Sequence, residues 1–307
     1  MTGAPGKAIF TGASGNRLIA DLFGESGPAV LLLHGGGQTR HAWRKTAERL
    51  GAAGWTAYAL DQRGHGDSDW VADAAYAFAD FAADATAVAD ALAARSGERP
   101  AVVGASLGGI AALLAEGEAE KSGRGSVFSV LVLVDTTPRV SSAGIDKIQG
   151  FMRAHGDGFR SVAQAAEAVA AYLPHRPRPR SHQGLKKNLR LYPDGRWRWH
   201  WDPRFMDGPR GVASKRQGLE QALVAAARRI AIPALLVRGG ASEVVQEAHA
   251  RDFLELVPHA DYVDVAEARH MVAGDSNENF SAAILEFLGR NAGQTPGLTN
   301  SQVSSAS

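Results

Sequence analysis

The chain has 307 residues, 45% hydrophobic and 21% charged, which suits one large α/β domain with an insertion, or two small domains, in an ordinary globular protein. It contains no cysteine, which excludes disulfides, thiolate nucleophiles and cysteine-ligated zinc or iron–sulfur sites. The net charge of +1 hides an asymmetry: residues 139–229 carry 18 Lys/Arg and 7 Asp/Glu, the remainder 15 and 25.

Short apolar runs alternate with helical patterns along the chain. Residues 7–23, split by a turn at 12–15, suit an antiparallel hairpin at a sheet edge. A buried strand is predicted at 29–33, a helix at 41–53 and a strand at 55–60. The Ala-rich stretch 79–95 places Phe81, Ala85, Val88 and Leu92 on one helical face and stops at Gly97. A strand at 101–104, a helix at 107–116 and a strand at 128–134 follow. The alternation then breaks from Thr136 to about Arg229, far too long for a plain loop, so a mostly helical insertion over the strand ends is expected. It resumes with a strand at 234–237, a helix at 246–256, a strand at 262–265 and a helix at 277–288. Strands apolar on both faces, alternating with helices, argue for a parallel sheet covered on two sides. The expected division is a core of 1–138 and 230–291, a cap of 139–229, and a polar, disordered tail at 292–307.

The basic middle between acidic flanks reads as electrostatic docking of a lid on a body, or as a preference for an anionic ligand. No nucleic-acid motif accompanies the charge, so no nucleic-acid partner is expected. The N-terminus has no apolar run of a signal peptide, and no stretch of about 18 apolar residues occurs. The expectation is a cytoplasmic protein without membrane insertion, a monomer or homodimer, acting on a small molecule. No metal-ligand motif, P-loop or dinucleotide fingerprint is present, and no metal or cofactor is expected.

The stretch VVGASLGGIAAL, 102–113, contains Gly104-x-Ser106-x-Gly108 between a predicted strand and a predicted helix. A sharp strand-to-helix turn forces its central residue into a strained backbone, small residues on either side let neighbouring backbones approach, and the serine oxygen projects at the positive end of a helix. With LLLHGGGQ at 31–38 and DQRGHGDS at 61–68, the sequence resembles the α/β-hydrolase family over about 1–138 and 230–290. The resemblance implies a mostly parallel, eight-stranded type of sheet flanked by helices, with a mainly helical cap.

It also implies a catalytic triad whose nucleophile is Ser106 and whose base is His270, in the last-strand loop ARHMVAGDSNENF, where Arg269 replaces the glycine expected before the histidine. Glu243, in RGGASEVV after the penultimate strand, stands where the family carries its acid. Asp135, at the end of the strand 128–134, is the rival. The amides of Gly36 and Leu107 would form the oxyanion hole. His34, Asp61, Arg63 and His65 read as scaffold. Trp197, Trp199 and Trp201 alternate on one face of an extended segment, either anchoring the cap or lining, with Gly35, a substrate pocket. The implied activity is hydrolysis of a carboxylic ester or lactone of a small, apolar or aromatic substrate. Carbon–carbon hydrolysis of dienoate diketones is an alternative, although the proline that often follows the glycine loop is missing after Gly37. A non-catalytic ligand-binding or signalling protein on the same fold is a third.

Overall fold

The computed structural model describes residues 4–174, 181–213, 218–266, 268 and 277–291. The connector 175–180, His270 with Arg269, and the tail 292–307 lie outside the described residues.

The first half alternates as the hydropathy requires: β1 (Gly6–Thr11), β2 (Arg17–Phe23), β3 (Ala29–Leu33), α1 (Arg44–Ala52), β4 (Thr56–Leu60), α2 (Phe78–Ser96), β5 (Ala101–Ala105), α3 (Leu107–Lys121) and β6 (Leu131–Val134). An inserted segment holds α4 (Ser142–Arg153), α5 (Val162–Tyr172), α6 (Gln183–Lys186), β7 (Leu189–Leu191), β8 (Trp197–Trp199) and α7 (Arg204–Asp207). The chain then gives α8 (Leu219–Ala227), β9 (Ala234–Gly239), α9 (Glu247–Leu256), β10 (Asp261–Val265) and α10 (Asn277–Asn291).

Eight strands form one sheet in the order β1-β2-β4-β3-β5-β6-β9-β10. β2 is antiparallel to both neighbours and the other pairs are parallel. Because side chains alternate along a strand, each central strand feeds two cores. Leu31, Leu33, Val102, Leu131, Leu133 and Leu236 pack with α2, α3, α8 and α9 on one face. Val30, Leu32, Val103, Val132, Leu235 and Val237 pack with α1 and α10 on the other. Each fully buried Leu or Val contributes roughly 1.5–3 kcal/mol relative to exposure. α2 ends where expected: Gly97 takes φ 78° and its amide bonds Ala93 O.

The insertion is mixed rather than purely helical. β7 and β8 pair antiparallel, and Phe159, Ala165 and Leu189 form a small core of their own with Trp197 and Trp199. α8, which falls within the expected cap at 139–229, packs against α3 and supplies Leu223, Ala226 and Ala227 to the sheet core. A Cβ on Gly117 of α3 would lie 2.4 Å from Ala226 Cβ, so the missing side chain is what admits α8. That helix belongs to the layer over the sheet.

The charge asymmetry is used partly in docking. Arg210 binds Asp73 and Asp80, Arg139 reaches Asp252, and Lys147 pairs with Glu243, each joining the basic insertion to the acidic body.

Candidate active site

β5 runs into α3 through Ser106, whose backbone sits at φ 47° and ψ −113°. For a serine this conformation costs of order 1–3 kcal/mol and persists only where the surroundings enforce it. They do so here through tight backbone approach. A Cβ on Gly104 would come within 2.4 Å of Gly108 O, and one on Gly108 within 2.3 Å of Leu33 O. Ser106 N donates to Val134 O across the sheet and Ser106 O accepts from Ile110 N, which commits the residue to strand and helix at once. Ser106 is half-buried between the buried Ala105 and Leu107.

The loop after β3 lies against this turn: a Cβ on Gly35 would sit 3.5 Å from Ser106 Cβ, and one on Gly36 3.9 Å from Leu107 Cβ. Two of its amides are tied down. Gly35 N donates to Gln38 Oε1 at 3.1 Å, and Gly37 N donates to His65 Nε2 at 3.1 Å. The Gly36 and Leu107 amides donate to no described residue. Leu107 is also the first residue of α3, where the helix dipole adds positive potential.

His34 and His65 hold this loop as neutral rings. His34 Nε2 accepts from Gln62 N while its Nδ1 lies 2.8 Å from Gly35 O. His65 Nδ1 faces Arg63 O at 2.9 Å, leaving Nε2 to accept from Gly37. Burial pushes both far down, His34 to about 4 and His65 to about 3, the latter helped by the neighbouring His34. Two ion-pair clusters with buried arginines brace the same turns. Arg40 joins Asp21, Asp61 and Asp67, and Arg63 grips Asp84 through two bonds of 2.7 and 2.6 Å. Asp61 and Arg63 thus brace the turns around the site.

Asp135 follows β6 directly. It is 1% exposed, has a left-handed backbone at φ 49°, and accepts from Gly239 N at 3.2 Å and from Ser242 Oγ at 2.7 Å. Glu243 is differently placed. Its side chain is 45% exposed and its carboxylate meets Lys147 Nζ of α4 at 2.7 Å. His270 and Arg269 are not among the described residues. Ser242 attracts no attention in the sequence beside the charged Glu243. Its only signal there is a small polar residue in the turn that ends the penultimate strand.

The three tryptophans part company. Trp197 lies in the cap's own core beneath Lys186, 5.6 Å from its ring centroid. Trp199 packs between Phe151 and Phe159. Trp201 reaches the site: a Cβ on Gly37 would be 3.7 Å from its Nε1 and 2.9 Å from Met152 Cε, and one on Gly36 3.3 Å from Phe205 Cζ. Met152 and Phe205, which sequence reasoning passed over, therefore stand over the loop after β3 with Trp201. Phe205 closes the same WRWHWDPRF stretch and could have been included with it.

That stretch is clamped to the body. Gly66 N donates to His200 O and Asp202 N to Gly64 O. Tyr76 donates to Asp202 Oδ2 at 2.6 Å, and Arg204 binds the same carboxylate. Burial, then the bond to Asp202, raises the Tyr76 phenol, so it stays a donor. No group of three or more His, Cys, Asp or Glu side chains placed to hold a metal ion occurs among the described residues. None of their helices is long and apolar enough to cross a membrane.

A strained serine, two amides beside it that donate to no described residue, and a buried carboxylate one strand away form an arrangement suited to attack on a carbonyl. The family model for the alpha/beta hydrolase fold matches residues 28–276. Esterase Rv0045c of Mycobacterium tuberculosis is 29% identical over 259 residues, covering 82% of this chain and 80% of that protein. The 2-(acetamidomethylene)succinate hydrolase of Mesorhizobium japonicum is 28% identical over 267 residues, covering 86% and 88%. The crystal structure of an E-2-(acetamidomethylene)succinate hydrolase superposes with a TM-score of 0.77 at 25% identity, covering 93% of this chain and 99% of that one. This chain is an enzyme that belongs to the α/β-hydrolase fold family.

Proposed function

We propose that this enzyme is a serine hydrolase that cleaves a carboxylic ester or lactone of a small, apolar or aromatic substrate through an acyl-enzyme. The observation that carries the reading is the strained Ser106 beside the amides of Gly36 and Leu107, which donate to no described residue. Ser106 Oγ attacks the carbonyl carbon as its proton passes to His270. The carbonyl oxygen takes the negative charge between the two amides, each such donor being worth about 3–4 kcal/mol in the transition state. Collapse expels the alcohol, which leaves with the proton from His270. A water activated by the same histidine then releases the acid.

For the acid that orients His270 we prefer Asp135 to Glu243, reversing the weight that family position gave. A triad acid must be buried and fixed by donors so that it holds the imidazole in one tautomer. Asp135 has that environment, whereas Glu243 is half exposed and engaged by Lys147. Met152, Phe205 and Trp201 supply the apolar wall over the loop, and similarity to an esterase accords with the reaction class.

Hydrolysis of short p-nitrophenyl esters by the wild type and Ser106→Ala tests the reading. Steady turnover that falls by at least about a thousand-fold in the variant is expected. Turnover that survives in Ser106→Ala would remove Ser106 as nucleophile. A wild type that binds such esters without cleaving them would favour a ligand-binding protein on this fold.

A further inference from the structure

We infer that Ser242 is a positioning residue that holds the Asp135 carboxylate in place for the reaction. The inference rests on the reading of Asp135 as the acid of the triad. A serine hydroxyl has two acceptor lone pairs and a single proton. Both acceptor sites of Ser242 Oγ are engaged, by Val244 N at 3.2 Å and Val245 N at 3.1 Å. The one proton is therefore committed to Asp135 Oδ2, 2.7 Å away. The hydroxyl cannot rotate to another acceptor without abandoning two backbone donors in a buried place.

The loop that carries Ser242 is itself fixed on three sides. Gly240 N donates to Val265 O, Ala241 N to Ala268 O and Ser242 N to Gly239 O, each within 2.9 Å. Arg238 donates to Val245 O at 2.8 Å and to Gly240 O at 3.1 Å, with Asp264 as its counter-ion. From the cap side, Ser141 N donates to Val244 O at 2.9 Å, and a Cβ on Gly144 would come 2.5 Å from Glu243 O. Gly239 N meanwhile holds the other oxygen, Oδ1. The carboxylate is thus gripped at both oxygens by groups of the β9 turn, Gly239 through its backbone amide and Ser242 through its side chain.

Inactivation by an alkyl fluorophosphonate reads this without knowledge of the natural substrate. Ser106 Oγ displaces fluoride from phosphorus as the hydroxyl proton passes to the base. The rate constant kinact reports activation of the serine, and KI reports binding. The wild type, Asp135→Asn, Ser242→Ala, Ser242→Thr and the Asp135→Asn/Ser242→Ala double variant are compared. Loss of a hydrogen bond to a charged group should lower kinact in Ser242→Ala by about ten- to a hundred-fold, with KI unchanged within about two-fold. Ser242→Thr, which keeps the hydroxyl, should restore most of it. The double variant should be no slower than Asp135→Asn alone, because Ser242 acts through Asp135.

A kinact in Ser242→Ala within about two-fold of wild type, or losses that multiply in the double variant, would overturn the inference while leaving Asp135 as the acid. A near-normal kinact in Asp135→Asn would instead overturn the reading on which it rests. Should Ser242→Ala not fold, Ser242→Cys gives the same comparison, since its S–H is a far weaker donor of similar size.

Discussion

The Asp135 carboxylate is buried and the Glu243 side chain is half exposed, and the proposal that Asp135 rather than Glu243 serves the histidine rests on that difference. A buried carboxylate with fixed donors gives a directional field, whereas an exposed one paired with a lysine is screened by water. Asp135→Asn should lower kcat by about ten-thousand-fold with KM little changed, as loss of a triad acid does elsewhere. Glu243→Gln removes a surface ion pair worth about 0–1 kcal/mol and should leave kcat within about three-fold. Steady-state kinetics on one p-nitrophenyl ester checks both, and the reverse pattern would return the role to Glu243.

The folded protein protonates His34 and His65 only near 4 and 3, against 6.5 for an ordinary imidazole. Between those values the unfolded chain holds more protons than the native one, so stability falls as pH drops below 6.5, and above it these two groups contribute no slope. Urea midpoints should be level just above neutrality and decline steeply on acidification. His65→Gln, whose amide oxygen can still accept from Gly37 N, should make the decline shallower. An unaltered slope in that variant would contradict the assignment of a neutral, buried His65.

What was legible at this scale is local. The spacing of Gly104, Ser106 and Gly108 and the glycine loop at 35–37 announce themselves because their geometry is set by neighbours in sequence. The surroundings of Asp135 do not, because its partners Gly239 and Ser242 lie 104 and 107 residues away and meet it only across the sheet.

At the scale of elements, apolar strands covered on both faces leave an unmistakable alternation, and β3, β4, β5, β6 and β9 fall where the pattern puts them. α8 was harder. The sequence places this Ala-rich helix in the cap because it follows a basic stretch, whereas its fit against Gly117 and its side chains in the sheet core put it in the layer over the sheet. This fit carries a prediction in which two effects oppose each other. Gly117→Ala gains about 1 kcal/mol of helix propensity but drives a methyl to 2.4 Å from Ala226 Cβ. Overpacking of about 1–3 kcal/mol should win, and the urea midpoint should fall. A raised midpoint would mean that α3 and α8 separate freely.

Across the whole molecule, the cap is a basic structure pinned to an acidic body, and its pins also shape the site. The clamp of Tyr76 and Arg204 on Asp202 holds the segment that delivers Trp201 and Phe205, while α4 delivers Met152 from the opposite end of the insertion. The existence of the insertion was visible as a break in alternation. Its two-stranded hairpin and the separation of Trp197 from Trp201 were not, since alternation places tryptophans on one face without saying what that face meets. Met152→Ala should enlarge the space over Gly37 and raise kcat/KM for longer acyl chains relative to acetate in a series of p-nitrophenyl esters. An unchanged chain-length profile would place the acyl group elsewhere.

The central claim is that Ser106 carries the acyl group. The most direct measurement is to mix the enzyme with p-nitrophenyl acetate, quench with acid before steady state, and locate the label by intact mass and peptide mapping. The account predicts one acetyl group per chain, on Ser106, and none in Ser106→Ala. Turnover that survives in Ser106→Ala, or an acetyl group on another residue that persists in that variant, would contradict it.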